Sequence, residues 1–161
     1  MRDTHIISIL AENKVGVLAH VAGMFASRGF NIESIAAGPT HEENLSRITI
    51  VVRGDESVLE QVRKQLGKVI DVVKITDFAD QDVVERDLML VKVTAPAAKR
   101  GEIFDLTEAF RGRIVDIGAR HVIIELSGPK QKIEAIITLL RPYGIKEIAR
   151  AGRIALGRGP K

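Results

Sequence analysis

The feature that most restricts what this chain can become is an order of elements that occurs twice. Apolar stretches of period two and amphipathic stretches of period 3.6 follow one another as strand, helix, strand, strand, helix, strand, and then in the same order again. In the first half, strands are predicted at His5–Ala11, Phe30–Ala37, Leu45–Arg53 and Val69–Phe78. The first helix carries Val17, Leu18, Val21 and Phe25 on one stripe. The second is capped by Asp55, ended by Gly67, and buries Val58, Leu59, Val62 and Leu66. In the second half, strands fall at Leu88–Ala95, Ile114–Ile117, Val122–Leu126 and Tyr143–Arg150, and the chain then runs into a Gly/Arg-rich end. One helix is marked by Ile103, Leu106, Thr107 and Phe110. The other opens at Pro129, buries Ile133, Ile136, Ile137 and Leu140, and stops at Pro142. Ala79-Asp80-Gln81-Asp82 is the polar spacer, so the expected domains are residues 1–79 and 80–161.

Each half reads as a βαββαβ unit, which predicts an α+β protein of two ferredoxin-like domains, each an antiparallel sheet with two helices on one face. Within Leu45–Arg53, Ile48, Ile50 and Val52 point one way, and Arg47, Thr49, Val51 and Arg53 form a mostly polar opposite face. Ile7, Ile9, Val73 and Met89 are expected toward the helices, with Ile6, Leu10, Val72 and Leu88 on the other side. A unit of this size buries only about 60% of its unfolded surface and is marginal alone. One bare sheet face and exposed edge strands therefore point to a homodimer.

Composition narrows the function classes. The 161 residues contain no cysteine and no Trp, which removes disulfides, thiol nucleophiles and Cys-based zinc sites. No apolar run is long enough to span a membrane. Met1-Arg2-Asp3-Thr4 leads directly into a strand without a signal or transit pattern, so a cytoplasmic protein is expected. His5, His20, His41 and His121 lie on different elements with no metal-ligand spacing, and no metal or cofactor motif is present. Residues 1–78 carry 9 basic and 10 acidic side chains, net −1; residues 79–161 carry 15 and 11, net +4. Much of that excess sits at the end, in Arg141, Lys146, Arg150, Arg153, Arg158 and Lys161. Without interleaved aromatics or a helix-turn-helix, this end reads as solvated or partner-facing, not as a nucleic-acid site. Gly152–Gly159 lacks the Lys-Ser/Thr ending of a phosphate loop.

There remains the corner Glu12-Asn13-Lys14-Val15-Gly16-Val17-Leu18, where a buried strand turns into the first helix. A helix N-terminus offers unpaired N–H groups and partial positive charge to a small carboxylate. Gly16 permits close approach to the backbone, and Asn13 adds a side-chain amide. By itself the corner fits a plain connection as well as a ligand site. Asn31-Ile32, opening the strand after the helix, tips the balance: a neighbouring copy could bring them to this corner and supply acceptors for an ammonium group. Val17, Leu18 and Ile32 would then cover an aliphatic side chain.

These segments resemble the small regulatory subunits of acetohydroxyacid synthase (acetolactate synthase). The resemblance runs through Ile7–Leu10, Glu12-Asn13-x-x-Gly16-Val17-Leu18, Phe25-x-x-Arg28-Gly29-Phe30-Asn31-Ile32-Glu33-Ser34 and Ser46-Arg47-Ile48-Thr49. It continues in Gln61-x-x-Lys64-Gln65-Leu66, Val72 and Glu85-Arg86-Asp87-Leu88-Met89-Leu90, and so covers essentially the whole chain. It implies an N-terminal ACT domain that binds valine at a dimer interface, through Asn13, Gly16, Val17 and Leu18 of one chain and Asn31 and Ile32 of the other. It implies a family-specific ferredoxin-like C-terminal domain. It further implies no catalysis in this chain, but activation and feedback inhibition of a large catalytic subunit in valine, leucine and isoleucine biosynthesis. The partner would carry thiamine diphosphate, Mg and FAD, leaving this chain without cofactors. The alternative is an ACT-domain sensor of another amino acid, such as serine or isoleucine, acting on a different enzyme or on transcription. A free-standing enzyme lacks candidate acid, base or nucleophile sets, and a transcription factor lacks a segment for reading DNA.

Overall fold

A computed structural model describes residues 4–160. The expected entry of Met1–Asp3 into the first strand and the final Lys161 lie outside the described residues. The first unit contains β1 (Thr4–Glu12), α1 (Val17–Ser27), β2 (Asn31–Pro39), β3 (Leu45–Arg53), α2 (Glu56–Leu66) and β4 (Val72–Asp77). Then come β5 (Val83–Thr94), α3 (Ala97–Ala109), β6 (Arg113–Ile117), β7 (His121–Gly128), α4 (Lys130–Leu140), β8 (Ile145–Arg150) and β9 (Ile154–Gly157). The first sheet has the order β2-β3-β1-β4 and the second β6-β7-β5-β8, the same permutation of a βαββαβ unit, with antiparallel pairing throughout. Both halves are ferredoxin-like, as the doubled element order predicts.

Each unit has its own core. Ile7, Ile9, Ile48 and Ile50 of the first sheet pack against Val21 and Phe25 of α1 and Leu59, Val62 and Leu66 of α2. In the second, Met89, Val91, Val93, Val122, Ile124 and Leu126 meet Ile103 of α3 and Ile133, Ile136 and Leu140 of α4. Leu45–Arg53 forms β3 over its full predicted length, and Asp55 caps α2, its carboxylate accepting from the Val58 N–H at 3.1 Å.

Four expectations are corrected. The boundary does not fall at 79/80: the chain divides at Val84/Glu85, and the described residues from Arg153 onward return to the first unit. The polar spacer is a turn fastened to β4, not a linker. Ala79 N–H donates to Asp77 Oδ1, Gln81 Nε2 donates to the Asp77 carbonyl, and Arg158 N–H of the returning end donates to the Asp82 carbonyl. Second, Val72, not Val73, packs on the first core, and Val73 is 58% exposed. The register slips between Leu10 and Ala11, which face Lys74 and Val72 respectively, so Val73 is the extra residue of a bulge. A slip of one residue exchanges the faces of a strand.

Third, the polar face of β3 is not a solvated one, nor is that side of the sheet bare: Thr49 is 1% exposed, Val51 fully buried, and Ser8 beside them is buried too. Arg47 Nη1 donates to Ser8 Oγ at 2.8 Å, satisfying that hydroxyl. Alternation in a sequence distinguishes two faces of a strand without telling what covers the second. Fourth, the Gly/Arg-rich end, read as solvated or partner-facing, contains a strand and buried or paired arginines. Arg141-Pro142-Tyr143 forms a single 3-10 turn, β8 begins only at Ile145, and Ile154–Gly157 forms β9 on β5. Three of its cations are paired: Arg150 with Asp87 and Glu134, Arg153 with Glu33, and Arg158 with Asp82. No helix among the described residues is long and apolar enough to cross a membrane.

Candidate functional site

The corner between β1 and α1 is shaped by one residue that only glycine occupies easily. Gly16 has φ 86° and ψ −10°, a left-handed conformation, and stands at the N-cap position of α1 without a capping side chain. Nothing lies within 4 Å of where a Cβ would be, so the demand for glycine here is conformational and the space above it is open. His20 N–H donates to the Gly16 carbonyl and Val17 N–H makes a long 3.4 Å bond to the Lys14 carbonyl. No hydrogen bond among the described residues occupies the N–H groups of Leu18 and Ala19. They form, with the helix dipole, an exposed pair of donors suited to a carboxylate.

The loop beneath these donors is braced from both sides. Glu12 N–H donates to the Asp71 carbonyl at 2.9 Å, and Asn13 N–H to the Asn44 carbonyl at 2.6 Å. Lys14 forms an ion pair with Glu12 and reaches Asp71 at 3.6 Å. Hydrogen bonding to the Glu12 carboxylate, then its charge, holds the Lys14 ammonium above its ordinary value against an opposing desolvation, with Asp71 adding less. This cation therefore belongs to the turn: it pins the loop to the α2–β4 connection and leaves the donors above free.

The predicted residues do not all serve as expected. Asn13, Gly16 and Leu18 (45% exposed) stand at the surface of the corner. Val17 is 5% exposed and belongs to the core, so its side chain is not available to cover a ligand. Ile32 is half-buried and also packs on that core, whereas Asn31 is exposed. Ala19 adds an open N–H that the motif does not mark; counting forward from a left-handed N-cap glycine finds it, since the first turn of any helix leaves such donors open. Lys14 and Asp71 are the other contributors without a signal, because an ion pair across 57 positions leaves no local trace.

Within one chain the two groups of residues do not meet. Asn31 opens β2 and pairs with Arg53, which pairs with Thr4; Glu12 pairs with Leu45 at the other end. The length of β1 separates them, about 27 Å at 3.4 Å per residue. No single copy can close both around one small ligand. β2 is an edge strand of its sheet, with Asn31 at its beginning. A separate concavity of about 430 Å3 lies between α1 and the end of α2, lined by His20, Arg28, Gln65 and Lys68 among others, and none of the predicted effector residues lines it.

Other chemistry is structural where it can be traced. His5 is buried with Nε2 3.1 Å from the Gly54 carbonyl, and His121 lies 3.2 Å from Asp116. Among the described residues no three His, Asp or Glu side chains gather as a metal site would require.

Comparison with known proteins completes the picture. Residues 7–74 match a family model described as an AHAS small subunit-like ACT domain, and residues 86–159 one described as the small subunit of acetolactate synthase. A probable acetolactate synthase small subunit of Archaeoglobus fulgidus is 54% identical over 157 residues, 98% of each chain. The acetolactate synthase small subunit of Mycolicibacterium smegmatis is 46% identical over 98% of this chain and 93% of its own. Among solved structures, the acetolactate synthase small subunit of Thermotoga maritima superposes with a TM-score of 0.88 at 42% identity, covering 98% of this chain and 99% of that one.

Proposed function

Since this chain belongs to the acetolactate synthase small-subunit family, we propose that it is the regulatory, non-catalytic subunit of that enzyme, a feedback sensor of valine. It pairs with a second copy of itself and with the large catalytic subunit, which it activates and through which it regulates branched-chain amino acid biosynthesis. The thiamine diphosphate, Mg and FAD chemistry then belongs to the large subunit. This chain supplies none of it.

The observation that carries the reading is the open N-terminus of α1 above a left-handed Gly16. Leu18 and Ala19 N–H groups receive the carboxylate of valine, the amide of Asn13 and that of Asn31 from the second copy receive its ammonium, and Leu18 lies against its side chain. Support for the second copy comes from the separation of Asn31 from Gly16 within one chain and from the place of β2 at the edge of its sheet. Valine has eight heavy atoms, so about −1 kcal/mol per atom limits affinity to about micromolar. So small a ligand regulates only by favouring one arrangement of the two copies over another, and a pocket divided between them provides that difference.

Calorimetric titration of the protein with a panel of amino acids tests the reading directly. Valine should bind and serine should not. Inhibition assays with the catalytic subunit present should show Gly16→Asp insensitive to valine and still activating. Full valine sensitivity in that variant would reject the assignment.

A further inference from the structure

Among the described residues of the basic end, Arg153 is the cation that is buried, with a side chain 8% exposed, and it lies in the segment that returns to the first unit. Its N–H donates to Ser34 Oγ at 3.5 Å and its Nη2 lies 3.8 Å from Glu33 Oε1. Both partners are on β2, directly after Asn31-Ile32. The pairing of β2 with β3 slips at this point: Ile32 faces Val52, Ser34 faces Val51, and Glu33 is the extra residue of a bulge. A bulge turns a side chain out of the alternating pattern and bends the strand locally. Here it aims Glu33 at the guanidinium.

A charged group withdrawn from water is held by its partners or it is strongly unfavourable, so the position of Arg153 is tied in part to that of Glu33. Any shift of β2 at Asn31 moves the bulge next to it. Arg153 is also the first residue after the crossing Gly152–Arg153, where the chain passes back from the second unit. Gly152 has φ 89°, a left-handed joint, and the residue before it, Ala151, still bonds through its N–H to the Leu88 carbonyl of β5. Arg153 thus stands two residues along the chain from Ala151, which is bonded to β5, and is itself bonded to β2 at Ser34 and paired with Glu33.

We propose that Arg153 is a positioning residue for feedback inhibition: it couples occupancy of the Asn31-Ile32 end of β2, through the Glu33 bulge, to the segment Ala151–Arg153 that leads into the second unit. This rests on the assignment of valine to the Gly16–Asn31 seam. It needs no direct contact between Arg153 and the ligand. Regulatory couplings of this kind amount to about 5–150-fold in affinity, and uncoupling should bring that factor close to one.

The test uses the reconstituted enzyme of large and small subunits with Arg153→Met, which keeps the apolar stem, Arg153→Lys, which keeps the charge, and Glu33→Gln, which removes the acidic partner at a more exposed position. Valine binding is measured by calorimetry on each small subunit, with thermal melting as the check on folding. Inhibition is measured as activity at saturating valine. The expected result is valine affinity within about twofold of wild type, activation retained, inhibition largely lost in Arg153→Met and Glu33→Gln, and inhibition recovered in part by Arg153→Lys. Normal inhibition in Glu33→Gln and Arg153→Met overturns the coupling. Loss of valine binding in step with inhibition also overturns it, because Arg153 would then be supporting the pocket itself. Failure of the wild-type protein to bind valine would instead reject the effector assignment, and is seen in the same titration before any variant is made.

Discussion

The same corner is built in two ways in the two halves of this molecule. In the first, β1 leads into α1 through Asn13–Gly16, a left-handed glycine holds the N-cap position, and the donors of the first turn face open space. In the second, β5 leads into α3 through buried Ala95 and exposed Pro96, and the side chain of Arg100 lies against the connection. Its guanidinium donates to the carbonyls of Ala95, Gly118 (2.7 Å) and Ala119 (3.0 Å). One topology therefore yields a corner that turns on a left-handed glycine and a corner whose carbonyls are tied to an arginine cation, while the first-turn N–H groups of Ala97 and Ala98, like those of Leu18 and Ala19, have no hydrogen bond among the described residues. Topology places a helix N-terminus at the end of a strand; the residues in the connection decide whether it is left for a ligand. Fold similarity between the halves therefore does not by itself give them the same role.

The comparison can be broken most decisively at Gly16. Gly16→Asp puts a carboxylate where that of the proposed effector would sit, and like charges in such a site cost several kcal/mol, so calorimetry should show valine affinity reduced by more than about 100-fold. A smaller effect is expected from Arg100→Ala in the closed corner. Losing a cation shared by three carbonyls should lower the unfolding free energy by about 1–2 kcal/mol in denaturant titration and leave valine inhibition unchanged. Altered valine sensitivity there would show that the second corner also takes part in effector response. Gly16→Asn separates charge from conformation. Asn tolerates a left-handed backbone better than most residues, so it should cost about 1 kcal/mol or less and weaken valine about fivefold or less.

The smallest effect concerns α2, the other helix of the first unit, whose N-terminus is closed by its own Asp55. Hydrogen bonds from Ser57 and from the Val58 N–H hold the Asp55 carboxyl below its ordinary value of 3.8. A carboxyl depressed in the folded state adds stability above its unfolded value, and loses it as the pH falls through the folded one. Asp55→Ala should thus lower the melting temperature slightly at neutral pH. The gap between variant and wild type should close as the pH drops below the usual carboxylate range. A gap that persists unchanged in acid would mean the cap acts through packing and not through its charge.

Much of this is legible along the chain. Strand β3 is legible from end to end because Leu45–Arg53 alternates without interruption, and α2 because Asp55, its apolar stripe and Gly67 all agree. The Asn13–Gly16 corner is legible because glycine and asparagine carry the conformational and polar requirements of such a turn in their own covalent structure. Val72 and Val73 exchange faces because a bulge is a property of pairing, invisible to a pattern of period two. β9 leaves no mark because four residues between glycines and arginines carry no period; the partner strand β5 imposes its extension. Arg153 has the look of a solvated charge in a basic end, and only a fold that brings it to Glu33, 120 positions earlier, makes it a buried ion-pair partner.

The part determined by the sequence alone is therefore local: where strands and helices lie, that they repeat in one order, that cysteine chemistry is excluded, and that one glycine-marked helix start differs from the others. Tertiary structure alone decided the registers, the closing of the returning segment onto the first unit, and the separation of Asn31 from Gly16. The physical reason is range. Dihedral preference and side-chain period act over a few residues and are written in them. Register, burial and the pairing of distant charges depend on which surfaces meet, and that is settled only when the whole chain has packed.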